Sequence, residues 1–283
     1  MILFLECGRL GNQLFQYCGF RYFCAEQKLI LVGFDDLQRH FDCGEVQFIS
    51  KAALERWMPF AILRRVIFFL VAARILGRIT EKKNEESFML HHRKGLLWNV
   101  YVAQNVFFQH SEVVNRIEIA PRLNPWLIHL AYDWLKENKI TPASDSPIFV
   151  HFRRGDYLSW PSADFPAVLD LVWYKRAIET MHEKTSHPVF ILMSDDLFYL
   201  RDVFEESKNW IISDNPPEID LAIMSLCHSG ILSASSFAWW GAFLARSKRK
   251  QDCQFLAPLF WGGHRVKKWY PIGFMTDWIT YQE

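Results

Sequence analysis

The chain has 283 residues, of which 51% are hydrophobic and 16% aromatic, and its formal net charge at pH 7 is +1. This length suits two domains or one large one, and the apolar content is enough for a sizeable core, which excludes a disordered chain. The near-neutral charge gives no electrostatic reason to expect nucleic acid as a partner.

The cysteines and the amino-terminal residues both predict a cytoplasmic protein. The six cysteines form no CxxC pair and no zinc-ligand spacing, and they lie in apolar stretches, which is typical of reduced, buried thiols. Residues 2–5 already have the character of a strand and are followed by the acidic Glu6. We therefore expect no signal peptide.

The first half of the chain opens with a strand, a glycine turn and a helix. The strand covers residues 1–5, the helix covers residues 14–27, and a second strand at residues 28–32 completes a βαβ unit. Glycines in the turn let the backbone approach a ligand closely, and the amino end of the helix favours an anion. The candidate ligand-binding residues are Gly8, Arg9, Gly11 and Asn12. A tight turn into a packed helix fits the same pattern.

Residues 57–80 are strongly apolar, but arginines interrupt them too often for a membrane span. A buried helix whose arginines reach solvent fits this pattern, and so does an interfacial helix that lies on a membrane. The charged stretch from Glu81 to Glu86 predicts a solvated loop after it. We expect a helical insert over residues 50–95, and a strand over residues 99–110.

The second half alternates strands with helices, which predicts a parallel sheet with right-handed crossovers. The expected strands are residues 148–152, 189–193, 210–212, 230–232 and 254–257. The expected helices are residues 167–184, 197–207, 219–227 and 237–246, and the first half is expected to end with a helix over residues 124–139. Residues 138–146 are the best linker candidate, so we expect one domain over residues 1–142 and a second over residues 143–283.

Polar residues follow three of these predicted strands. The carboxyl ends of neighbouring parallel strands can converge on one crevice, where open α/β sheets bind ligands. Two adjacent arginines there indicate an anionic ligand, most simply a diphosphate, because a guanidinium fork matches phosphate oxygens. Solvated arginines beside a turn, and serines that only cap a helix, are the alternatives. The residues are Arg153, Arg154, Ser194, Asp195, Asp196, Ser233, Ser235 and Ser236.

Two further polar residues have alternative interpretations. Asp220 could pair with the edge of a guanine base, or it could complement the dipole of its own helix. His151, at the end of the first strand of the second half, could orient a phosphate or cap the strand.

Four stretches, taken together, resemble glycosyltransferase family 11, the inverting α-1,2-fucosyltransferases that use GDP-fucose. The stretches are Gly8 to Tyr17, His151 to Tyr157, Ser194 to Asp196 and Ser233 to Ala242. They occur in the family's order along nearly the whole chain. Ala234 stands where the family commonly has Asn, and the Gly8-Arg9 pair also resembles the protein O-fucosyltransferases.

This resemblance implies an α/β, GT-B-like fold of two Rossmann-like domains that face a central cleft, with the nucleotide bound mainly by the carboxyl-terminal domain. It implies inverting transfer of L-fucose from GDP-β-L-fucose to the O2 hydroxyl of a terminal galactose-type residue. The acceptor would be an O-antigen, capsule or oligosaccharide glycan, and the product an α-1,2 linkage. Neither a metal nor another cofactor would be required.

The resemblance also implies roles for individual residues. Arg153 would hold the β-phosphate as the sugar leaves, Ser236 would contact a phosphate, and Asp220 would contact guanine. Asp156 is the first candidate for a general base and Asp164 is the second. The pair of carboxylates at residues 195–196 should not be interpreted as a metal-binding motif.

Three alternatives stay open at this point. The first is a different GDP-sugar transferase, for example one that acts on a protein hydroxyl. The second is a noncatalytic module that binds a nucleotide or sugar. The third is a membrane-associated structural protein, suggested by residues 57–80. We expect GDP-fucose and a galactose-containing glycan as partners, with peripheral contact at the inner face of a membrane through residues 57–80.

Overall fold

The computed structural model describes residues 1–84, 86–117, 120–142, 144–204, 210–249, 253–260, 264, 266–267 and 275–283. The chain divides into two compact units, Met1–Asn124 and Pro125–Glu283. The observed boundary lies earlier in the chain than residue 142, where the sequence predicted it. The reason is that helix Pro125–Glu137 packs against helix Pro217–Met224 of the second unit. Ala143 lies outside the described residues.

The first unit is built on a six-stranded sheet of order β4-β2-β1-β7-β5-β6. Its elements are β1 (Ile2–Leu5), α1 (Leu10–Phe23), β2 (Leu29–Val32), α2 (Asp35–His40), β3 (Phe41–Asp42), β4 (Gln47–Ile49), α3 (Lys51–Glu55), α4 (Phe60–Ala72), β5 (Gly77–Lys83), β6 (Phe88–Arg93), β7 (Tyr101–Ala103), α5 (Ser111–Val114) and β8 (Arg122–Leu123). The short apolar strand β1 pairs in parallel with both β2 and β7, which places it at the centre of the sheet. The predicted βαβ opening is therefore present.

The expected helical insert over residues 50–95 is helical only in its first part. After α3 and α4, the strands β5 and β6 form an antiparallel pair that joins the sheet beside β7. Glu81, which we expected in a solvated loop, lies within β5 and accepts hydrogen bonds from the backbone N–H groups of Phe107 and Phe108 at 2.7 and 2.9 Å. These bonds satisfy buried backbone donors, which explains why a charged residue is tolerated there.

The second unit is built on a six-stranded sheet of order β11-β10-β9-β12-β13-β14. Its elements are α6 (Pro125–Glu137), β9 (Ser146–Phe152), α7 (Leu171–Lys184), β10 (Pro188–Ser194), α8 (Leu197–Val203), β11 (Trp210–Ile212), α9 (Pro217–Met224), β12 (Ser229–Ile231), α10 (Ser236–Arg249), β13 (Phe255–Pro258) and β14 (Thr280–Gln282). All of its strand pairs are parallel, as predicted. The edge strand β14 was not predicted.

The core of the second unit covers both faces of the sheet, and one part of it lies under α7. Phe152 at the end of β9 stacks on Tyr174 of α7 with a centroid separation of 3.9 Å. On α10, Trp239 and Trp240 are fully buried, as the helical spacing predicts. Burial of aromatic side chains on this scale holds the strands firmly, so that residues at their carboxyl ends have defined positions.

The cysteines are free thiols, and four of them are buried at positions 18, 24, 43 and 227. Cys7 and Cys253 are partly exposed. Within the described residues, no helix has both the length and the apolar character needed to cross a bilayer.

Candidate functional site

The predicted polar strand ends meet at one edge of the second sheet. β9 lies between β10 and β12, and the last paired residues are Phe152 with Ser194 on one side and Val150 with Ile231 on the other. The loops that follow these three strands therefore emerge side by side, which places Arg153 and Arg154 between the acidic and the serine segments. This edge is where parallel α/β sheets bind ligands.

Arg153 is held by two carboxylates. One amino group forms an ion pair with Asp195 at 2.6 Å, and the other forms a short ion pair with Asp156. The Arg153 side chain is 14% exposed, against 53% for Asp156 and 26% for Asp195. Asp156 lies on a short 3-10 helix, Gly155–Leu158, directly after the arginines. The guanidinium is thus fixed from both sides, and the more exposed of its two partners is Asp156.

Arg154 is fixed by its backbone as well as by its side chain. Its N–H donates to Asp195 at 2.9 Å, and its Nε donates to Asp196 at 3.1 Å. Its guanidinium carbon lies 3.4 Å from the ring centroid of Tyr199, a cation–π contact. Arg154 is thus restrained by an ion pair, a backbone hydrogen bond and a close aromatic contact.

The acidic segment after β10 serves mainly to hold the arginines. Asp196 caps α8 by accepting from the N–H of Tyr199 at 3.1 Å, and this bond is the main reason that the pKa of Asp196 is lowered. Its own N–H donates to the Ser194 hydroxyl at 3.0 Å. A Cβ at Gly155 would lie 2.5 Å from the carboxylate of Asp195, so a larger residue there would displace that carboxylate. The carboxylates thus face arginines.

His151 is an interior residue. Its Nδ1 lies 2.7 Å from the hydroxyl of Ser233, and burial together with the charge of Arg153 lowers its pKa to about 3. The imidazole is neutral at physiological pH and bonded to the next strand end. It orients the edge of the sheet through Ser233.

Tyr157 is a residue of this site that the sequence did not single out. Its hydroxyl donates to the carbonyl oxygen of Ala234 at 2.7 Å, and its ring lies 5.3 Å from the Arg153 guanidinium and 5.0 Å from the ring of Trp160. Tyr157 therefore ties the loop after β9 to the loop after β12. Its place inside the arginine motif was the available signal.

The serine segment leads into α10. The hydroxyl of Ser235, which is buried, accepts from the N–H of Phe237 at 3.3 Å, so it caps the helix. Ser236 is the first residue of the helix. The amino end of α10 thus lies beside β9, with its serine hydroxyls at the same edge as the arginines.

Asp220 is a buried acid on α9. The hydroxyl of Ser213, at the end of β11, donates to it at 2.6 Å, and Asn215 donates to the same hydroxyl at 2.9 Å. Burial raises the pKa of Asp220 to about 7, although the Ser213 bond acts in the opposite direction. A buried carboxyl of this kind can accept paired N–H donors from a ligand, and Ser213 is a partner that the sequence did not identify.

Asp164 lies on the exposed loop that a bridge between Pro161 and Pro166 closes. Among the described residues, it forms no hydrogen bond or ion pair with Arg153 or Arg154. The structure therefore brings Asp156, and not Asp164, into contact with the arginines.

The glycine turn of the first unit has its own geometry. Gly8 has a φ of +90°, and a Cβ there would clash with the side chain of Asn12. The amide oxygen of Asn12 accepts from Gln109 at 2.7 Å, and Gln16 donates to the carbonyl oxygen of Cys7 at 2.9 Å. Arg9 is exposed at the amino end of α1, and Gly11 is buried in its first turn. The turn is thus held by side-chain amides, and Gln109 is a contributor that the sequence did not indicate.

Comparison with known protein sequences places these residues in a recognised pattern. Residues 135–251, which include the arginines, the acidic and serine segments and Asp220, match the model of glycosyl transferase family 11. The chain is 26% identical over 266 residues to the O-antigen biosynthesis glycosyltransferase WbnK of Escherichia coli, covering 84% of this chain and 88% of that protein. It is 27% identical over 259 residues to an Escherichia coli alpha-1,2-colitosyltransferase, covering 84% and 85%.

Solved structures share the fold. POFUT1 in complex with GDP has a TM-score of 0.55 at 12% identity, covering 90% of this chain and 97% of that one. A family 9 glycosyl transferase from Veillonella parvula has a TM-score of 0.54 at 11% identity, covering 100% and 87%. The fucosyltransferase NodZ from Bradyrhizobium has a TM-score of 0.51 at 13% identity, covering 86% and 92%. These likenesses confirm the predicted GT-B-like fold with Rossmann-like domains.

Proposed function

We propose that this chain, whose residues 135–251 match the model of glycosyl transferase family 11, transfers L-fucose from GDP-β-L-fucose to the O2 hydroxyl of a terminal galactose-type residue. The transfer inverts the sugar carbon and forms an α-1,2 linkage. The observation that carries the proposal is the pair of restrained arginines at the carboxyl edge of the second sheet, inside the matched segment. As a glycosyltransferase, the chain no longer fits the noncatalytic alternative.

Arg153 stabilises the leaving nucleotide in this proposal. As the bond between the sugar carbon and the β-phosphate oxygen breaks, negative charge grows on GDP and the sugar becomes oxocarbenium-like. A guanidinium that meets the charged phosphate most strongly at that moment lowers the barrier, since it favours the transition state over the bound donor. The Asp195 ion pair, at 2.6 Å, holds Arg153 in place for this role.

Asp156 exchanges partners when the donor binds. It shares Arg153 with Asp195 and is the more exposed of the two carboxylates, so an incoming phosphate displaces it more easily. Once released, its oxygens are free to accept the proton of the acceptor hydroxyl, as inversion by direct attack requires. Donor binding would in this way switch on the base. Asp164 is the second candidate for this role.

The remaining residues of the edge complete the donor site. Arg154 and the hydroxyls of Ser235 and Ser236 donate to the diphosphate, with the amino end of α10 favouring its charge. Asp220 accepts the two N–H donors on the edge of guanine. His151, Ser194, Asp195 and Asp196 position these groups within the second unit. Donor binding by Gly8, Arg9, Gly11 and Asn12 of the first unit stays a prediction from the sequence.

The reaction requires no metal in this proposal. Arginines and backbone N–H groups can neutralise a departing diphosphate in the way that Mg²⁺ does in other transferases. The oxygens of Asp195 and Asp196 are directed at Arg153 and Arg154, which is the arrangement of an ion-pair network. Transfer should therefore persist in the presence of a chelator.

The acceptor is a galactose-containing glycan, and the O-antigen function in the name of the first relative favours a lipid-linked repeat unit over a capsule unit or a free oligosaccharide. An enzyme with such an acceptor works at the inner face of a membrane. We therefore propose a cytoplasmic protein that contacts the membrane peripherally through residues 57–80.

GDP-colitose is a second candidate donor, and one of the relatives supports it. The colitosyltransferase relative is as similar to this chain as the O-antigen relative is, and the same linkage appears in its name. Colitose is fucose without its 3-hydroxyl, so the two GDP-sugars differ by a single polar group. A site built to bond that hydroxyl would discriminate strongly against the sugar that lacks it.

The test is a GDP-release assay with GDP-fucose and GDP-colitose against a panel of soluble galactosides, followed by NMR of the product. We expect GDP release only with a β-galactose-terminated acceptor, and an α-linkage to O2. Preferred use of GDP-colitose would show that the proposed donor is wrong, without affecting the match to the family. A different linkage, or transfer to a protein hydroxyl, would overturn the proposal.

A further inference from the structure

The first unit presents an exposed apolar helix face. α4 turns Ile67 and Val71 inward, where both are buried. Its outward face is also apolar: Ile62, Val66 and Phe69 are 47%, 44% and 69% exposed, at a spacing that puts them on one side of the helix. A helix that is apolar on both faces is typical of a protein interior or a membrane surface, not of a face in water.

A loop extends this face. The N–H of Leu96 donates to the carbonyl oxygen of Arg74 at 2.7 Å, so the loop before β7 lies against the carboxyl end of α4. On this loop Leu96 is 73% exposed and Trp98 is 74% exposed. Before the amino end of α4, Trp57 is 91% exposed. We refer to Trp57, Ile62, Val66, Phe69, Leu96 and Trp98 as the apolar surface.

The charges around the apolar surface are mainly basic, although the exposed Glu55 lies two residues before Trp57. The sequence contains no acidic residue in the range 56–80 or in the range 87–111, although the chain as a whole carries a formal charge of only +1. The ammonium of Lys94 lies 5.9 Å from the ring centroid of Trp98. The exposed basic residues are Arg56, Arg65, Arg74 and Lys94.

We propose that the apolar surface docks on a membrane with anionic headgroups. The aliphatic side chains enter the boundary of the acyl chains, Trp57 and Trp98 lie at the headgroup level, and the basic residues meet lipid phosphates. A second copy of this chain is the weaker candidate, because a two-fold contact through this face would bring two mainly basic surfaces together. This inference extends the membrane contact proposed above to the loop and to a lipid charge, and it does not depend on which sugar is transferred.

The test is flotation of the purified full chain with vesicles of two compositions. One contains phosphatidylglycerol with phosphatidylethanolamine, and the other contains phosphatidylcholine alone. We expect the chain to float with the anionic vesicles and to be released by salt, because screening weakens the headgroup contacts. Replacement of Arg65, Arg74 and Lys94 by Gln should weaken binding by about fivefold for each charge removed.

A second variant tests the apolar contribution. Ile62→Ser, Phe69→Ser and Trp98→Ser together should abolish flotation. The matched control replaces exposed apolar residues of the second unit, Tyr132→Ser with Val172→Ser, and should float as the unchanged chain does. Circular dichroism and GDP affinity establish that each variant is folded.

Two outcomes would overturn the inference. One is equal binding by the apolar variant and its control. The other is no flotation of the unchanged chain with the anionic vesicles. If sedimentation then shows a concentration-dependent dimer that the apolar variant abolishes, the surface contacts a second copy. Transfer to a soluble galactoside is measured in parallel, so that failure of the fucosyl-transfer proposal is seen separately from failure of membrane docking.

Discussion

The two sheets end differently at the carboxyl ends of their central strands. β9 runs into Arg153 and Arg154, whose guanidinium groups are paired with carboxylates from two loops. β1 runs into Gly8, where a positive φ and side-chain amides shape the backbone. The first edge holds charged side chains in place before a ligand binds, whereas the second holds the backbone in a defined conformation. We therefore expect the larger losses of turnover from substitutions at the first edge, and a loss of stability from substitution of Gly8 at the second.

The largest effect should come from Asp156→Asn. If Asp156 accepts the acceptor proton, kcat should fall by about 10²–10⁴, while GDP binds more tightly because a competing carboxylate is gone. The measurements are the pH–rate profile and the Kd for GDP. Asp164→Asn is the matched variant and should leave both unchanged. The reverse pattern would assign the base to Asp164, and unchanged profiles in both variants would remove both candidates.

Arg153→Lys should have the next largest effect. A single ammonium cannot keep the pair with Asp195 and also meet the phosphate as the guanidinium fork does, so we expect kcat to fall by about 10²–10³. GDP release from GDP-fucose measures it. Arg201→Lys, in a well-exposed ion pair of 3.7 Å with Asp214, is the control and should be silent. Near-normal turnover in a folded Arg153→Lys protein would refute the assigned role.

Asp220 should make GDP binding depend on pH. Burial raises its pKa to about 7, and the guanine edge needs the ionised form, so affinity should rise as pH increases through that value. Asp220→Asn should remove this dependence and weaken GDP binding by about 10- to 100-fold, the usual loss for a bond to a charged group. Calorimetry at several pH values measures both, with Asp202→Asn as the exposed control. A dependence that survives in Asp220→Asn would contradict the assignment.

The raised pKa of Asp220 also makes the stability of the nucleotide-free protein depend on pH. The protonated form of Asp220 is favoured in the folded state, because its ordinary pKa of 3.8 is raised by burial. Its contribution to stability is therefore full below about pH 4 and is lost as pH rises toward 7. The trend should be absent in Asp220→Asn.

The smallest effect on turnover should come from Gly8→Ala, which tests the glycine turn of the first unit. A φ of +90° strains any residue with a Cβ, and that atom would also clash with Asn12, so we expect a loss of about 1–3 kcal/mol in the free energy of unfolding. Gly44→Ala is the matched control, because Gly44 has a φ of +60° and nothing lies within 4 Å of the added atom. Denaturant unfolding measures both, and equal losses would show that Asn12 does not matter.

The sequence predicted the second sheet better than the first for a physical reason. Short apolar strands alternate with helices there, and parallel pairing brings their polar ends to one edge, so the convergence of these segments could be predicted. The ion pair between Arg153 and Asp195 became visible only in the structure. In the first unit, the apolar run of α4 obscured the β5 and β6 pair that follows it. The contacts that make Glu81 acceptable in a strand come from residues 107 and 108, and local pattern cannot reveal them.

The finer geometry of the site depended on distant partners. The hydroxyl of Ser213 on Asp220 and the bond from Tyr157 to Ala234 join loops that are separate in sequence. Which carboxylate is exposed and which is held also became visible only in the structure, and that difference separates Asp156 from Asp195.

The two partly exposed cysteines, Cys7 and Cys253, can serve as natural labelling positions. Cys7 belongs to the first unit and Cys253 to the second, whereas the other four cysteines are buried. Burial raises the pKa of Cys7, so maleimide coupling should proceed faster at mildly alkaline pH. A fluorophore pair or two spin labels attached to the natural chain would then report, without any engineered cysteine, whether the distance between the units changes when GDP is added.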